Sequence, residues 1–170
     1  MLIPLPTKFD QNELLVIGFL IILILLLWLL PKRFPTSVTI LILSFSIGIS
    51  RIVDHSLAGP QIDFYDVMDT GDYELFDFFC YILYAPFAYV FVYLYDKWNI
   101  RGMYILLYIT ACSFVGIVFE WFTTTPYIHF FIYKQWSILY SFPIYLFIQS
   151  CTLLFYHVLK RIYYKTATIS

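Results

Sequence analysis

The sequence predicts an all-α integral membrane protein, a single domain built as a bundle of five transmembrane helices. Apolar residues make up 62% of the 170 residues and charged residues only 12%, whereas a soluble domain carries roughly 25% charged residues. Five apolar runs approach the roughly 20 residues that a helix needs to cross a bilayer. Seven of the ten Lys and Arg residues lie in three short clusters, each at the end of an apolar run, which is the pattern of cytoplasmic loops.

The first two predicted spans lie in the amino-terminal third of the chain. The first covers about residues 13–30 and ends before Pro31, and the second begins after Pro35 and covers about residues 36–57. A cleaved signal peptide would carry a basic segment before its apolar run. Here Lys8 is accompanied by acidic residues, so we expect a retained span.

The other three predicted spans cover about residues 75–95, 103–124 and 138–159. None of these runs alternates strictly between polar and apolar residues, so the strands of a membrane β-barrel are not predicted. The three cysteines fall inside apolar runs without the spacing of metal or disulfide sites, and we expect them to be packing residues.

The positions of the basic residues predict the orientation of the bundle. The predicted inner segments are 31–35, 96–102 and the tail from residue 160, and they contain seven basic residues. The predicted outer segments are 1–12, 58–74 and 125–137, and they contain two. Because cytoplasmic loops retain Lys and Arg, we expect the N-terminus outside and the C-terminus inside. The sequence thus predicts a multi-pass protein of the cell membrane, surrounded by the lipid bilayer.

Ionisable residues inside two spans form the main candidate site. One face of the second span carries Ser44, Gly48, Arg51 and His55, flanked by Asp54. One face of the fourth span carries Cys112, Gly116 and Glu120. Both charges lie toward the predicted outer ends of their helices, and a charge buried in a membrane needs a partner. We therefore expect Arg51 and Glu120 to face the bundle interior and to pair, directly or through Asp54 or His55.

Three roles remain open for this cluster of charges. The pair can simply hold two helices together. It can also form an outward-facing polar pocket that binds an anionic or zwitterionic ligand. Alternatively, Asp54 satisfies Arg51 three residues away on its own helix, which leaves Glu120 as a proton-binding group.

Polar residues of the third and fifth spans are candidate lining for such a pocket. Asp77 begins the third span, where a helix N-terminus favours a carboxylate, and we expect it to belong to the cluster of charges. It shares a face with Tyr81 and Tyr84, which are possible lining. A polar stripe on the fifth span consists of Tyr145, Gln149, Thr152 and Tyr156. Such a stripe either joins helices by hydrogen bonds or lines a translocation path.

The two longer outer segments are expected to lie on the membrane surface. Acidic residues recur at every third position from Asp63 to Asp72, which does not match the ligand spacing of an EF-hand calcium loop. We expect them to form the solvated face of a short interfacial helix, with Ile62, Tyr65 and Met68 on its apolar face. The aromatic segment 126–136 is expected to lie on the outer surface of the membrane.

The sequence lacks the common signatures of enzymes and nucleotide-binding proteins. It has no H-E-x-x-H, G-x-S-x-G or Walker sequence. Its net charge of -1 provides no basic field for nucleic acid. We therefore predict no catalytic residue, no metal, no cofactor and no nucleic-acid partner.

The stretch FEWFTTTPYIHFFIYKQWSILYSFPIYLF contains Glu120 and Trp121 at a helix end, Tyr133 and Trp136 in a short loop, and Ser141 at the start of the last span. With these features the chain, from about residue 77 to 161, resembles a group of small multi-span membrane proteins from spore-forming, low-GC Gram-positive bacteria. The resemblance implies a bacterial protein with this helical topology and gives weight to Glu120 and Trp136. It implies no catalytic activity.

The sequence favours a non-enzymatic membrane module that binds a membrane-protein partner or a small ligand through the outer-side polar cluster. The alternative is a small-molecule transporter or its substrate-binding subunit. A partner-binding protein would show no internal cavity. A transporter would show an outward cavity that reaches Arg51 and Glu120, with Tyr84 or Gln149 below it.

Overall fold

The computed structural model describes residues 9–68, 75–128 and 130–167, except the side chains of residues 77, 164, 166 and 167. Its helices are α1 (Gln11–Leu29), α2 (Thr36–Leu57), α3 (Leu75–Lys97), α4 (Tyr104–Thr123) and α5 (Ile138–Ala167). Its two short strands are β1 (Tyr65–Val67) and β2 (Phe131–Tyr133). All five helices are long and apolar enough to span a membrane, so the predicted fold class is confirmed.

Local chemistry explains where the first helices begin and end. The Asp10 side chain accepts a hydrogen bond from the backbone N–H of Asn12 at 3.2 Å, and the Glu13 side chain accepts one from Asp10 N–H at 2.8 Å. This reciprocal capping box satisfies donors that every helix N-terminus leaves unpaired. After α1, Leu30 is extended and Pro31 follows, because a residue before proline is disfavoured in helical geometry. The predicted boundary is thus set by proline.

The helices pack unevenly around the bundle. The closely packed helix pairs of the described chain are α2–α3, α4–α5, α1–α3, α2–α5 and α3–α5. Helices α3 and α4 are consecutive but are not among these pairs. They meet through aromatic rings, with centroids 5.6 Å apart for Phe87 and Phe119 and 5.1 Å apart for Phe91 and Tyr108. Space therefore remains between the backbones of α3 and α4.

The loops at one end of the bundle pair with each other, and we call this the sheet end. Strands β1 and β2 are antiparallel, with Tyr65 opposite Tyr133 and Val67 opposite Phe131. The predicted interfacial helix is wrong at residues 65–67, which form a strand. Pairing satisfies backbone groups that would otherwise face apolar side chains at the membrane boundary. The predicted acidic positions 69 and 72 lie outside the described residues.

Lys134 joins the two loops at the sheet end. Its ammonium lies 2.6 Å from a carboxylate oxygen of Asp63 and 2.9 Å from one of Asp66. The hydrogen bonds that the Lys134 ammonium donates to these two carboxylates raise the pKa of Lys134. Two of the acidic residues in the α2–α3 loop therefore serve the loop pairing.

An ionic cluster closes the opposite end of the bundle, which we call the tail end. The Asp96 carboxylate on α3 accepts hydrogen bonds from Arg33 at 2.6 Å, from Lys160 at 2.7 Å and from Tyr156 at 2.5 Å. A buried cluster next to it contains Val38, Ile42, Val92, Tyr95, Ile109, Leu153 and Tyr156. Polar and apolar contacts therefore tie α2, α3 and α5 together at this end.

Candidate functional site

A cavity of about 470 Å³ lies between α2, α3, α4 and α5 and is covered at the sheet end by β1 and β2. Small-molecule sites generally fall within roughly 300–1,000 Å³. Apolar and aromatic side chains dominate its lining, including Leu83, Phe87, Phe91, Val115, Phe119 and Ile144. The cavity thus combines the size and the lining of a ligand site.

Glu120 lies in this lining, at the last turn of α4. It is 5% exposed, and its carboxylate accepts hydrogen bonds from three hydroxyl groups. Tyr133 and Ser141 donate to Oε1, the latter at 2.6 Å, and Tyr145 donates to Oε2 at 2.7 Å. The Trp136 indole N–H donates in turn to Ser141 Oγ at 2.9 Å. Hydroxyl donors therefore stabilise a buried negative charge at the sheet end.

Asp54 supplies a second carboxylate to the same lining, from the last turn of α2. It is 9% exposed, and its Oδ1 accepts a hydrogen bond from the Tyr65 hydroxyl at 2.7 Å. Because Tyr65 and Tyr133 are cross-strand partners, the sheet presents one phenol to Asp54 and the neighbouring phenol to Glu120. The two loops and the two carboxylates therefore form one connected site.

The same contacts keep both sheet tyrosines neutral. Burial and the nearby Asp54 carboxylate raise the pKa of Tyr65 well above its ordinary value, with a smaller contribution from Glu120. Burial and the hydrogen bond to Glu120 likewise raise the pKa of Tyr133. Both phenols remain hydrogen-bond donors at physiological pH.

The structure does not bring Arg51 into direct contact with Glu120, whose carboxylate is held by hydroxyl groups instead. Arg51 is exposed, and its guanidinium lies 5.4 Å from the ring centroid of Tyr81 rather than in the cavity. His55, one turn further along α2, is also exposed. The buried side chains of α2 lie on another face, given by Val38, Ile42, Ser46 and Asp54. An exposed Arg near a helix end can reach the membrane surface with its guanidinium.

The other predicted site residues differ in whether they line the cavity. Tyr84 and Gln149 line the cavity, and Gln149 Oε1 accepts a hydrogen bond from Ser113 at 3.2 Å. Tyr81 is buried near Arg51 and is not among the described lining residues. The Asp77 side chain lies outside the described part of the chain.

Sequence reasoning did not connect Glu120 with its hydroxyl partners. Ser141 and Tyr145 lie four residues apart and therefore share a face of α5, which was a usable signal. Tyr65 and Tyr133 come from two different loops, and no local pattern links either of them to a carboxylate. Their roles depend on the pairing of β1 with β2.

The polar stripe of α5 runs along the cavity and continues beyond it. Its members are Ser141, Tyr145, Gln149, Thr152, Tyr156 and Lys160. The first two contact Glu120, the last two contact Asp96, and Gln149 and Thr152 line the cavity between them. At 1.5 Å per residue the stripe spans about 28 Å. It links a carboxylate at the sheet end with one at the tail end.

Among the described residues, no group of three or more His, Cys, Asp or Glu side chains is placed to hold a metal ion. The chain matches no protein-family model, no curated protein and no solved structure.

Proposed function

We propose that this polytopic membrane protein binds a small, mainly apolar ligand in the cavity between α2, α3, α4 and α5, with Asp54 and Glu120 at the polar end. The observation that carries the proposal is the cavity itself, about 470 Å³ in volume and lined mostly by apolar side chains. The cavity is not enclosed on all sides, because its lining residues Phe87 and Val115 are 38% and 70% exposed. Apolar cavities hold water poorly but accept apolar ligands.

The proposed role is binding without chemistry. The Glu120 carboxylate is held by three hydroxyl donors, and the Asp54 carboxylate by at least one. Such groups position and stabilise charge, whereas a general base must be able to reach a substrate proton. In our proposal the sheet end faces the outside of the cell membrane, in agreement with the distribution of basic residues.

Fluorescence quenching in a single-tryptophan protein tests the proposal. Trp136 lines the cavity, so Trp28, Trp98 and Trp121 are replaced by Phe and the protein is placed in phosphatidylcholine nanodiscs. The probe is 4-(4-bromophenyl)butan-1-ol, whose bromine quenches tryptophan at short range. Quenching should saturate with probe concentration, as expected for a defined site.

A matched pair of variants separates the cavity from the lipid. Ala88→Phe adds a ring to a lining position, whereas Ala111→Phe adds the same ring to an exposed position of α4. Saturable quenching should be lost in the first variant and kept in the second. Equal, non-saturating quenching in both variants would refute the proposal.

The second candidate function is transport of the same ligand. It is favoured by the α5 stripe, which extends past the cavity to the Asp96 cluster at the tail end. A transporter must open the tail end, so uptake of the labelled probe into proteoliposomes should exceed leakage into protein-free vesicles. Uptake equal to this leakage would contradict transport but not ligand binding.

A further inference from the structure

We propose that the ligand is an organic cation, with an ammonium group beside Asp54 and Glu120 and an apolar body extending between α3 and α4. This inference rests on the proposed function and adds the chemical class of the ligand. It reverses the sequence-based expectation of an anionic or zwitterionic ligand, because Arg51 is not part of the site.

The charge of the lining selects against anions. Among the described lining residues, Asp54 and Glu120 carry charge, and both are acidic. Three cations of the described chain pair with carboxylates outside the cavity: Lys134 with Asp63, and Arg33 and Lys160 with Asp96. An anion in the cavity would meet two carboxylates in a medium of low dielectric constant, where like charges repel strongly. A cation would meet attraction from both.

The orientation of the hydrogen bonds gives the same answer independently of charge. The hydroxyls of Tyr65, Tyr133 and Tyr145 already point their hydrogens at the two carboxylates. Ser141 does the same, and Trp136 donates to Ser141. These groups therefore offer a bound ligand mainly oxygen lone pairs. An ammonium has three donors and no acceptor, so it complements such a site.

Aromatic rings and the shape of the cavity suit the remainder of such a molecule. Tyr65, Tyr84 and Trp136 line the polar end, where ring faces can attract an ammonium. Along α3, the lining runs from Leu83 to Leu94, a rise of about 17 Å. That length suits a short aryl or alkyl amine better than a full-length lipid chain.

Three probes with one apolar body test the inference in the single-tryptophan protein. They are 4-(4-bromophenyl)butan-1-amine, the corresponding alcohol, and 4-(4-bromophenyl)butanoate. Neutral-headgroup phosphatidylcholine nanodiscs keep lipid charge from concentrating the amine. Because a charge-assisted hydrogen bond contributes about 1.5–3 kcal/mol, the amine should bind at least about tenfold more tightly than the alcohol. The butanoate should give no saturable quenching.

Two isosteric variants assign the selectivity to the carboxylates. In Asp54→Asn and in Glu120→Gln, the preference for amine over alcohol should fall by about tenfold or more, while the alcohol still binds. Asp66→Asn should keep the full preference, because the Asp66 carboxylate pairs with Lys134 and does not line the cavity. Using two variants keeps the test decisive if one of them fails to fold.

The outcomes separate this inference from the proposed function. If the alcohol or the butanoate binds as tightly as the amine, the ligand class is wrong and the cavity function stands. The ligand class is equally wrong if amine preference survives in both Asp54→Asn and Glu120→Gln. If none of the three probes saturates, the cavity function fails and the ligand class fails with it.

Discussion

Removing the Tyr145 hydroxyl should destabilise the protein only while Glu120 is present. Tyr145 donates to Oε2 of Glu120 at 2.7 Å, whereas Ser141 and Tyr133 donate to the other carboxylate oxygen. Tyr145→Phe therefore removes the hydroxyl group that donates to Oε2 in this structure. The phenyl ring itself remains to pack beside Gly116.

The expected magnitude follows from the hydrogen bonds. A bond to a charged group contributes about 1.5–3 kcal/mol, so Tyr145→Phe should lower the free energy of unfolding by about 2 kcal/mol. Glu120→Ala removes the acceptor of three hydroxyls but also removes a buried charge, for a net loss of about 2–4 kcal/mol. In the double variant the Tyr145 hydroxyl has already lost its acceptor. The two single losses should therefore exceed the double loss by about 1.5–2 kcal/mol.

Unfolding in mixed micelles of dodecylmaltoside and sodium dodecyl sulfate, followed by circular dichroism, measures this coupling. Tyr140→Phe is the matched control, because Tyr140 is exposed on the same helix and the change should cost less than about 0.5 kcal/mol in either background. If the losses from Tyr145→Phe and Glu120→Ala add to within about 0.5 kcal/mol, Glu120 is not held as described.

Three further predictions concern other parts of the chain. Arg51→Gln should change probe affinity by less than about twofold, because Arg51 lies outside the cavity. A tenfold loss of affinity in the quenching titration would show that Arg51 belongs to the site. Asp96→Asn should lower the free energy of unfolding by about 1–3 kcal/mol in the same micelle assay, since the three partners of Asp96 include partly exposed cations. The control Asp66→Asn should lower it by less than about 1 kcal/mol. The raised pKa values of Tyr65 and Tyr133 favour the neutral phenols in the folded protein, so their contribution to stability is full below about pH 10 and is lost as the pH rises further. Comparing the tyrosinate absorbance of the wild type with that of Tyr65→Phe and Tyr133→Phe isolates the signal of each phenol. Each phenol should ionise at a higher pH than an ordinary tyrosine, and ionisation of either one at the ordinary pH would contradict this.

The sequence was sufficient for the helices because membrane spans are local. Length and hydropathy decide each span, and Pro31 and Pro35 mark boundaries that the structure keeps close to the predicted ones. The start of α5 could also be predicted from the local sequence. The helix continues to Ala167, past the predicted end at residue 159. Helix continuation beyond a span is not controlled by hydropathy.

The site required information that no single segment contains. Helix α2 offers two faces, one with Gly48 and Arg51 and one with Ile42, Ser46 and Asp54, and only packing against α3 and α5 selects the second. Strands of three residues carry almost no pattern, so their pairing could not be predicted from either loop alone. The burial of Glu120 was predictable, but its hydrogen bond from Tyr133 was not, because that bond depends on the strand pairing.

The position of bromine in a crystal of the protein with 4-(4-bromophenyl)butan-1-amine tests the central claim most directly. An anomalous difference map should show one bromine site between α3 and α4, near Phe91 and Tyr108, with the amine nitrogen within hydrogen-bond distance of Asp54 or Glu120. Bromine confined to the lipid-facing surface of the helices would contradict the claim that this cavity is the binding site.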